Sequence, residues 1–471
     1  MAEINNEVRV PKRVLNTLIT SLAAGVVPRI GAPYIAIGRE DELGSLLDNL
    51  DDVADGGAAC RFLIGRYGSG KSFLIQLVRG RALERGFICA DADLSPERRL
   101  TGGSGAGLAT YKELITNMAT KAAPDGGALP TVLSRHFAKI QTELAAAGID
   151  PDTAEFEAEL KRRVVLMLSE LEGDVGGFDF ARVLGEYYTA LLNGNNDKKS
   201  ACIRWLRGEF ANKTEANSAL GFRVSTVIDD DNWYGYIKLF AALSVKLGYS
   251  GFVVFIDECV NLYKIPNRIS REANYEKLLA IFNDTLQGKA KSLGVIFGGT
   301  PQFLEDTRRG LFSYDALKSR LQDSRFAQIS GYRNLSTPVI RLRTLSGSEL
   351  LALVKRLTNL YAMRDGSEPL VTDSEIEEFV ALARSRAGAD EMLTPREIIR
   401  DFLSFLNVMH DNPGTSFASL MRNASFSTAD DGEGEGDLGD GFASPAILSA
   451  GDTIEDGAPI TKTVSLFDID I

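Results

Sequence analysis

The sequence contains very little histidine and cysteine. Among its 471 residues there are two histidines and four cysteines. Neither His136 nor His410 lies near a cysteine or a second histidine in the sequence. This scarcity excludes the usual spacings of zinc ligands and argues against a histidine-based catalytic triad. The cysteines show no paired spacing, so we expect them to be small apolar residues of a reduced, cytoplasmic protein.

Long apolar runs are also missing. No stretch of eighteen consecutive apolar residues occurs, so the sequence predicts no membrane-spanning helix. Lys12-Arg13 precede a mildly apolar run that resembles a signal peptide, but its apolar residues recur at helical spacing with polar residues between them. These apolar residues are Val14, Leu15, Leu18, Ile19 and Leu22. An amphipathic helix is therefore the better interpretation, within an N-terminal helical element of residues 1–36.

Negative charge is concentrated at one end of the chain. The net charge is −12, and residues 424–471 contain eleven acidic residues and one lysine. This segment carries −10, which leaves about −2 for the remaining 423 residues. It has too little apolar surface to offset the entropy of ordering, so residues 416–471 are predicted to form a disordered acidic tail. The apolar end of the tail, 464–471, suits docking to a partner, but a purely solubilising role is an equally good interpretation.

What the sequence does contain is the pattern G-x-x-x-x-G-K-[ST] of a phosphate-binding loop, or P-loop. A short buried strand is predicted before it at 61–64, and a helix is predicted after it at 73–79. Such a loop turns its backbone N–H groups toward phosphates at a helix N-terminus. Lys71 would reach the β- and γ-phosphates of ATP, and Ser72 would hold Mg²⁺. The predicted nucleotide-binding residues are Gly65, Arg66, Tyr67, Gly68, Ser69, Gly70, Lys71, Ser72 and Phe73.

A second nucleotide-site element lies far along the chain. The apolar run 251–256 ends in Asp257 and Glu258, and such runs are typical of a central strand in a parallel sheet. Asp257 would hold Mg²⁺, while Glu258 would orient and polarise the attacking water. An apolar run that ends in Asp-Glu is a moderate signal alone. It becomes strong when a P-loop precedes it.

Three further residues are candidates for contact with the γ-phosphate. Thr300 directly follows the predicted strand 294–299. ATPases with an extra central strand place a polar side chain at this point, although the simple start of a Thr-Pro loop also fits. Arg320 lies near the end of a predicted helical segment, and Arg325 follows five residues later. Arg320 and, less strongly, Arg325 could reach a neighbouring subunit's nucleotide, or could be ordinary surface arginines. Arg396 lies in the first turn of a helix opened by the capping box that starts at Thr394. The Arg396 side chain could turn toward the nucleotide, or Arg396 could be an ordinary exposed residue of the first turn.

These elements together resemble the AAA+ ATPases, and most closely the branch of Orc/Cdc6-type initiators. In that branch, sensor 1 would fall on Thr300, the arginine finger on Arg320 and sensor 2 on Arg396. Within the superfamily, the chain is similar to the ATP-binding proteins of BREX and related bacterial anti-phage systems, from about residue 8 to about 412. Residues 37–42 are similar to the entry motif near the adenine of the Orc/Cdc6 branch, and the stretches that support the BREX resemblance are 229–236, 256–265, 297–306 and 309–314.

Two departures limit what the resemblance implies. The interval from Lys71 to Asp257 is far longer than a minimal ATPase core needs, so a helical insert is expected at about 95–235. Its two tryptophans, Trp205 and Trp233, could stack on bases but are better explained as core residues. In addition, little chain follows the predicted lid. A winged-helix domain is therefore not expected, and DNA binding is possible but not indicated by the sequence.

The resulting expectation is an α/β fold: an AAA+ P-loop parallel sheet flanked by helices, with a helical insert and an all-α lid. The predicted domains are 1–36, an ATPase core at 37–340, a lid at 341–415 and the tail at 416–471. The expected function is Mg²⁺-dependent ATP hydrolysis by a homo-oligomer that acts as motor or switch in anti-phage defence. The resemblance implies helicase-like and other defence proteins as partners. The alternative is a nucleotide-dependent scaffold with little turnover.

Overall fold

The structure is a computed structural model that describes residues 10–103, 105–171, 176–323, 334–386 and 394–423. A five-stranded parallel sheet lies at the centre of this part of the chain. Its strands are β1 (Ala58–Ile64), β2 (Ile88–Asp93), β3 (Phe252–Asp257), β4 (Leu293–Gly299) and β5 (Val339–Arg341). The spatial order is β2-β3-β4-β1-β5, and every neighbouring pair is parallel. The predicted α/β fold class is confirmed, and the arrangement is consistent with a P-loop fold.

Helices account for most of the remaining described residues. In chain order they are α1 (Lys12–Ala23), α2 (Glu40–Ala54), α3 (Lys71–Glu84), α4 (Ala106–Thr116), α5 (Leu129–Ala146), α6 (Ala154–Ser169), α7 (Gly177–Leu192), α8 (Asn196–Leu206), α9 (Lys213–Leu220), α10 (Trp233–Lys246), α11 (Val260–Tyr263), α12 (Arg268–Leu286), α13 (Pro301–Glu305), α14 (Asp315–Leu321), α15 (Gly347–Asp365), α16 (Asp373–Arg386), α17 (Pro395–Asp411) and α18 (Phe417–Asn423). Two short 3₁₀ helices, Ala32–Ile35 and Leu311–Ser313, complete the set within the described ranges.

The register of the sheet aligns the ends of its central strands. Ile64 at the end of β1 pairs with Gly299 at the end of β4, and Ile256 of β3 pairs with Phe297 of β4. The P-loop, the Asp257-Glu258 pair and Thr300 therefore begin side by side at the carboxyl edge of the sheet. Ligands of open α/β sheets bind at this edge.

The two faces of the sheet pack into different cores. In β1, Phe62 and Ile64 enter the core that contains α12 and the helical insert, whereas Leu63 enters the opposite core with α2 and α3. β3 and β4 are buried along their whole lengths. This double burial explains why both strands are continuously apolar in the sequence.

The region between β2 and β3 contains helices α4 to α10, which agrees with the expected helical insert. Trp205 and Trp233 are each about 1 % exposed, so both are core residues, as the sequence favoured. The indole Nε1 of Trp233 donates to the Leu100 carbonyl at 3.0 Å. Asp230 holds the start of α4 and the segment before it, because its carboxylate accepts hydrogen bonds from the backbone N–H groups of Gly102 and Gly107, both at 2.6 Å.

The lid and the N-terminal helix share one apolar core. Leu18 of α1 packs in the same cluster as Leu353 of α15 and Phe402 of α17. The predicted amphipathic helix is thus present, and it covers the lid. Phe417 and Met421 of α18 are buried in this cluster too, so helical packing continues beyond residue 415, where the tail was predicted to begin. Residues 424–471 lie outside the described ranges.

Two helices of the lid begin with a capping box, one of them at Thr394 as predicted. In α15, the Ser346 hydroxyl accepts from the Glu349 N–H, and the Glu349 carboxylate accepts from the Ser346 N–H. In α17, Thr394 and Glu397 make the same reciprocal pair. Two donors at each helix start are satisfied in this way, which fixes the first turn of each helix.

Two expectations from composition also have structural counterparts. All four cysteines are buried free thiols, and burial raises the pKa of Cys89 and of Cys202 to about 12, which makes them poor nucleophiles. Within the described ranges, no helix combines enough length and apolar character to cross a bilayer.

Candidate nucleotide-binding site

A cavity lies at the carboxyl edge of the sheet, where the P-loop faces the lid. Most of its lining comes from P-loop residues 67–73, the segment that connects α1 to α2, and residues of the lid region. Glu258 contributes from the end of β3. A polar, glycine-rich wall therefore faces an apolar wall across one cavity, as a nucleotide with phosphates and a base requires.

The P-loop holds its lysine between its own carbonyl groups. Lys71 Nζ donates to the carbonyl oxygens of Gly65 at 2.8 Å and of Arg66 at 3.0 Å. Burial lowers the pKa of the Lys71 ammonium, and the nearby Asp257 and Glu258 carboxylates counteract that effect. Gly65 and Arg66 thus contribute through their backbone. The other predicted P-loop residues, from Tyr67 to Phe73, line the cavity itself.

The P-loop and β3 are joined by one short hydrogen bond. Ser72 Oγ donates to Asp257 Oδ2 at 2.6 Å, and Asp257 Oδ1 accepts from the Glu258 N–H at 2.8 Å. Asp257 is 8 % exposed. Its carboxylate lies so close to Gly298 of β4 that a side chain at Gly298 would overlap Asp257 Oδ1. A glycine at this position therefore leaves room for the carboxylate.

These oxygen atoms suit a magnesium ion. A serine hydroxyl and a carboxylate are oxygen ligands of the kind that Mg²⁺ prefers, and Mg²⁺ sites in nucleotide-binding proteins use one or two protein ligands plus phosphate and water. Ser72 and Asp257 already lie within hydrogen-bond distance of each other. The residue types and their proximity fit the predicted metal site.

Glu258 has an unusual backbone conformation. Its φ angle is +57°, in the left-handed region that non-glycine residues rarely adopt. Neighbouring hydrogen bonds hold this turn, since the Cys259 N–H donates to the Gly298 carbonyl at 2.9 Å and the Asn261 N–H donates to the Glu258 carbonyl at 3.0 Å. Burial, together with the adjacent Asp257, raises the pKa of the Glu258 carboxyl. Strained backbone of this kind is concentrated at functional sites.

Arg396 reaches the cavity from the lid. It lies in the first turn of α17, lines the cavity, and places its guanidinium 5.2 Å from the centre of the Tyr67 ring. The lid helix therefore contacts the P-loop directly. A contact between Arg396 and a phosphate remains a prediction.

Thr300 and Arg320 lie outside the described cavity lining. The Thr300 hydroxyl caps α13 by accepting from the Phe303 N–H at 3.3 Å, as the loop-start interpretation expects. The Arg320 guanidinium donates to the Ala316 carbonyl of its own helix at 2.7 Å and is exposed. Their roles toward a γ-phosphate stay predictions. Arg325 lies outside the described residues.

Comparison with known families agrees with this geometry. Residues 10–425 match the family model described as BREX system ATP-binding protein BrxC/D. The chain belongs to this family. Membership identifies ATP as its ligand and a BREX phage-defence system as its setting. No curated protein matches the chain.

For a member of this family, the apolar wall of the cavity is a candidate site for the ATP base. It is formed by side chains that are far apart in the sequence: Val26 and Val27 after α1, Ile37 before α2, and Leu353 and Ile399 in the lid. Sequence reasoning missed these residues except Ile37, which lies in the 37–42 motif that the resemblance placed near the adenine. The only local signal of the others is apolar character, and long-range packing brings them together.

Two charged residues at the site were not singled out as site residues from the sequence. Arg39 is 4 % exposed; its Nη2 donates to the Ser69 carbonyl of the P-loop at 2.9 Å, and its Nη1 lies 3.6 Å from Glu42. Arg39 thereby links the start of α2 to the P-loop. Asp93, at the end of β2, pairs in register with Asp257. Partial burial of its carboxyl and the neighbouring Asp257 raise the pKa of Asp93, although the residue as a whole is exposed.

Proposed function

We propose that the protein is a Mg²⁺-dependent ATPase of the AAA+ class, in its Orc/Cdc6-like branch, that acts as a motor or switch in a multi-protein anti-phage system. The observation that carries this proposal is the meeting of P-loop and β3 at one cavity. Lys71, Ser72 and Glu258 line the cavity, and Ser72 is hydrogen-bonded to Asp257. Family membership supports ATP as the ligand. Hydrolysis is our inference from the residues.

Binding would begin at the P-loop. Its backbone N–H groups and the N-terminus of α3 favour an anion. Lys71 now bonds to two backbone carbonyls, and a triphosphate is a stronger acceptor for its ammonium group. Ser72 and Asp257 would hold Mg²⁺, which neutralises charge on the phosphates. The base would occupy the apolar wall between the α1–α2 segment and the lid.

Hydrolysis would depend on Glu258. Its carboxylate would orient a water molecule and accept a proton as the water attacks the γ-phosphorus, yielding ADP and phosphate. A raised pKa makes this carboxylate a stronger base as long as it remains ionised. Thr300 and Arg396 would contact the γ-phosphate from the end of β4 and from the lid.

A second copy of the chain would complete the site. Arg320 is exposed and bonded within its own helix, so it is available at the surface rather than in its own chain's cavity. Supplied by a neighbouring subunit, it would stabilise the negative charge of the transition state. We therefore propose a cytoplasmic homo-oligomer that works with helicase-like and other defence proteins. Direct contact with DNA is left to experiment.

One observation favours the alternative, a nucleotide-dependent scaffold with little turnover. In the described chain, the Thr300 hydroxyl caps α13, and Thr300 is not among the residues that line the cavity. A site in this state would bind ATP and hydrolyse it slowly. ATP would then act mainly by promoting assembly.

A phosphate-release assay distinguishes the two functions. The purified protein is measured with ATP and Mg²⁺ alone, with duplex DNA, and with the proteins encoded beside it. Turnover that rises with DNA or partners supports the motor or switch. Association driven by ATP, with negligible turnover under every condition, supports the scaffold. Failure to bind ATP at all would refute both.

A further inference from the structure

The P-loop contacts the lid helix at two adjacent points. The Tyr67 ring lies 5.2 Å from the Arg396 guanidinium. Next to it, Gly68 has a φ of +74°, and a side chain there would come within 2.7 Å of Thr394 Oγ1. Thr394 is the residue that caps α17. The tip of the loop that binds phosphates is therefore packed against the first turn of a lid helix.

Tyr67 is unusually exposed for an aromatic residue. Its exposed fraction is 67 %, so the ring adds little to the apolar core. Burial does not explain an aromatic side chain at this point of the P-loop. Its contact with Arg396 is a cation–π interaction, which at exposed sites is weak and readily exchanged.

Arg396 also lies close to the N-terminal segment. A side chain at Gly25 would come within 3.3 Å of Arg396 Nε. The guanidinium therefore has both Gly25 and the Tyr67 ring as near neighbours. The backbone of Arg396 is fixed by the capping box of Thr394 and Glu397, so a change of its side-chain conformation is the easiest movement available.

We propose that Tyr67 is a positioning residue that holds Arg396 over the P-loop until a triphosphate displaces the guanidinium. This inference rests on the proposed function, because it assumes that the Arg396 guanidinium donates hydrogen bonds to the γ-phosphate of bound ATP. A charge-assisted hydrogen bond to phosphate is stronger than a cation–π contact at an exposed ring, so the exchange favours the bound state. Occupation of the P-loop is thereby transmitted to α17 through one side chain.

The proposal predicts that Tyr67 and Arg396 are energetically coupled in nucleotide binding. The contact between Tyr67 and Arg396 must break before the γ-phosphate of ATP can bind Arg396, so Tyr67→Ala tightens ATP binding by roughly two- to five-fold. The affinity for ADP, which lacks the γ-phosphate, rises less in this variant. Tyr67→Leu keeps a large side chain but removes the aromatic ring, so we expect the same change in affinity as for Tyr67→Ala. Tyr67→Phe keeps the ring, so we expect its energetic coupling to Arg396 to match the wild type.

The test is a double-mutant cycle on the full chain, with dissociation constants for ATP and ADP measured by titration calorimetry. Arg396→Ala alone weakens ATP binding, and in that background Tyr67→Ala has no further effect. If Tyr67→Ala changes affinity equally with and without Arg396, the inference is wrong and Tyr67 acts on its own. If Arg396→Ala leaves ATP affinity unchanged, the proposed role of Arg396 fails, and the coupling fails with it. A Lys71→Ala protein that binds and hydrolyses ATP like the wild type would instead refute the proposed site.

Discussion

Replacement of Gly298 by alanine tests the position of Asp257 without removing any functional group. A methyl group on Gly298 would overlap Asp257 Oδ1, and it would lie 2.9 Å from Asp257 Cγ and 3.2 Å from Ile75 Cδ1. β3 and β4 are paired over five positions and cannot separate freely, so the carboxylate must rotate away. Ser72 then loses its acceptor. A hydrogen bond to a charged group contributes about 1.5–3 kcal/mol, and overpacking of a core costs about 1–3 kcal/mol.

The assay is phosphate release as a function of Mg²⁺ concentration, together with thermal unfolding. Gly294→Ala is the matched control, because it lies in the same strand and its methyl group would meet Val253 at an ordinary 3.4 Å. At limiting Mg²⁺ we expect a rate roughly ten- to hundred-fold lower for Gly298→Ala than for Gly294→Ala. Equal Mg²⁺ dependence in two folded variants would refute the assignment of Asp257 as a metal ligand.

Three further predictions concern the oligomer, the lid and the tail. Arg320→Ala should lower the rate of turnover by up to about 10³–10⁵-fold. Mixing this variant with Lys71→Ala should restore some activity, because one type of interface then pairs an intact P-loop with an intact arginine. No rescue, together with a rate per chain that is independent of concentration, would indicate a monomer. Thr394→Ala should cost about 1 kcal/mol of unfolding free energy in a denaturant titration, whereas Thr394→Ser retains the cap; equal stability would show that the cap adds nothing. Deletion of residues 424–471 should leave the melting temperature and basal ATP hydrolysis intact, and a clear fall in melting temperature would contradict the predicted lack of packing.

The sequence predicts the phosphate side of the site well, because that side is local. Residues 65–73 follow β1 directly, and their spacing is imposed by the phosphates. Asp257 and Glu258 are recognisable because a doubly buried strand must be apolar throughout and then ends in two carboxylates. The capping boxes at Ser346 and Thr394 are likewise visible within four residues.

Most of the base side of the site is not visible in the sequence. Val26 and Ile399 carry no distinctive pattern, and they meet because α1 packs on the lid and carries the following segment over the P-loop. Arg39 lies in a motif that was noted, but its bond to Ser69 depends on the three-dimensional path of α2. The contact between Tyr67 and Arg396 joins residues more than 300 positions apart. Such pairings follow from tertiary packing rather than from local propensity.

The most direct test of the account compares Lys71→Ala with Glu258→Gln. Both ATP binding and phosphate release are measured for each variant and for the wild type. We predict that wild-type protein hydrolyses ATP, that Lys71→Ala loses binding or turnover, and that Glu258→Gln binds ATP normally but does not hydrolyse it. Wild-type hydrolysis rates in either variant would contradict the account, as would a Glu258→Gln protein that folds but cannot bind ATP.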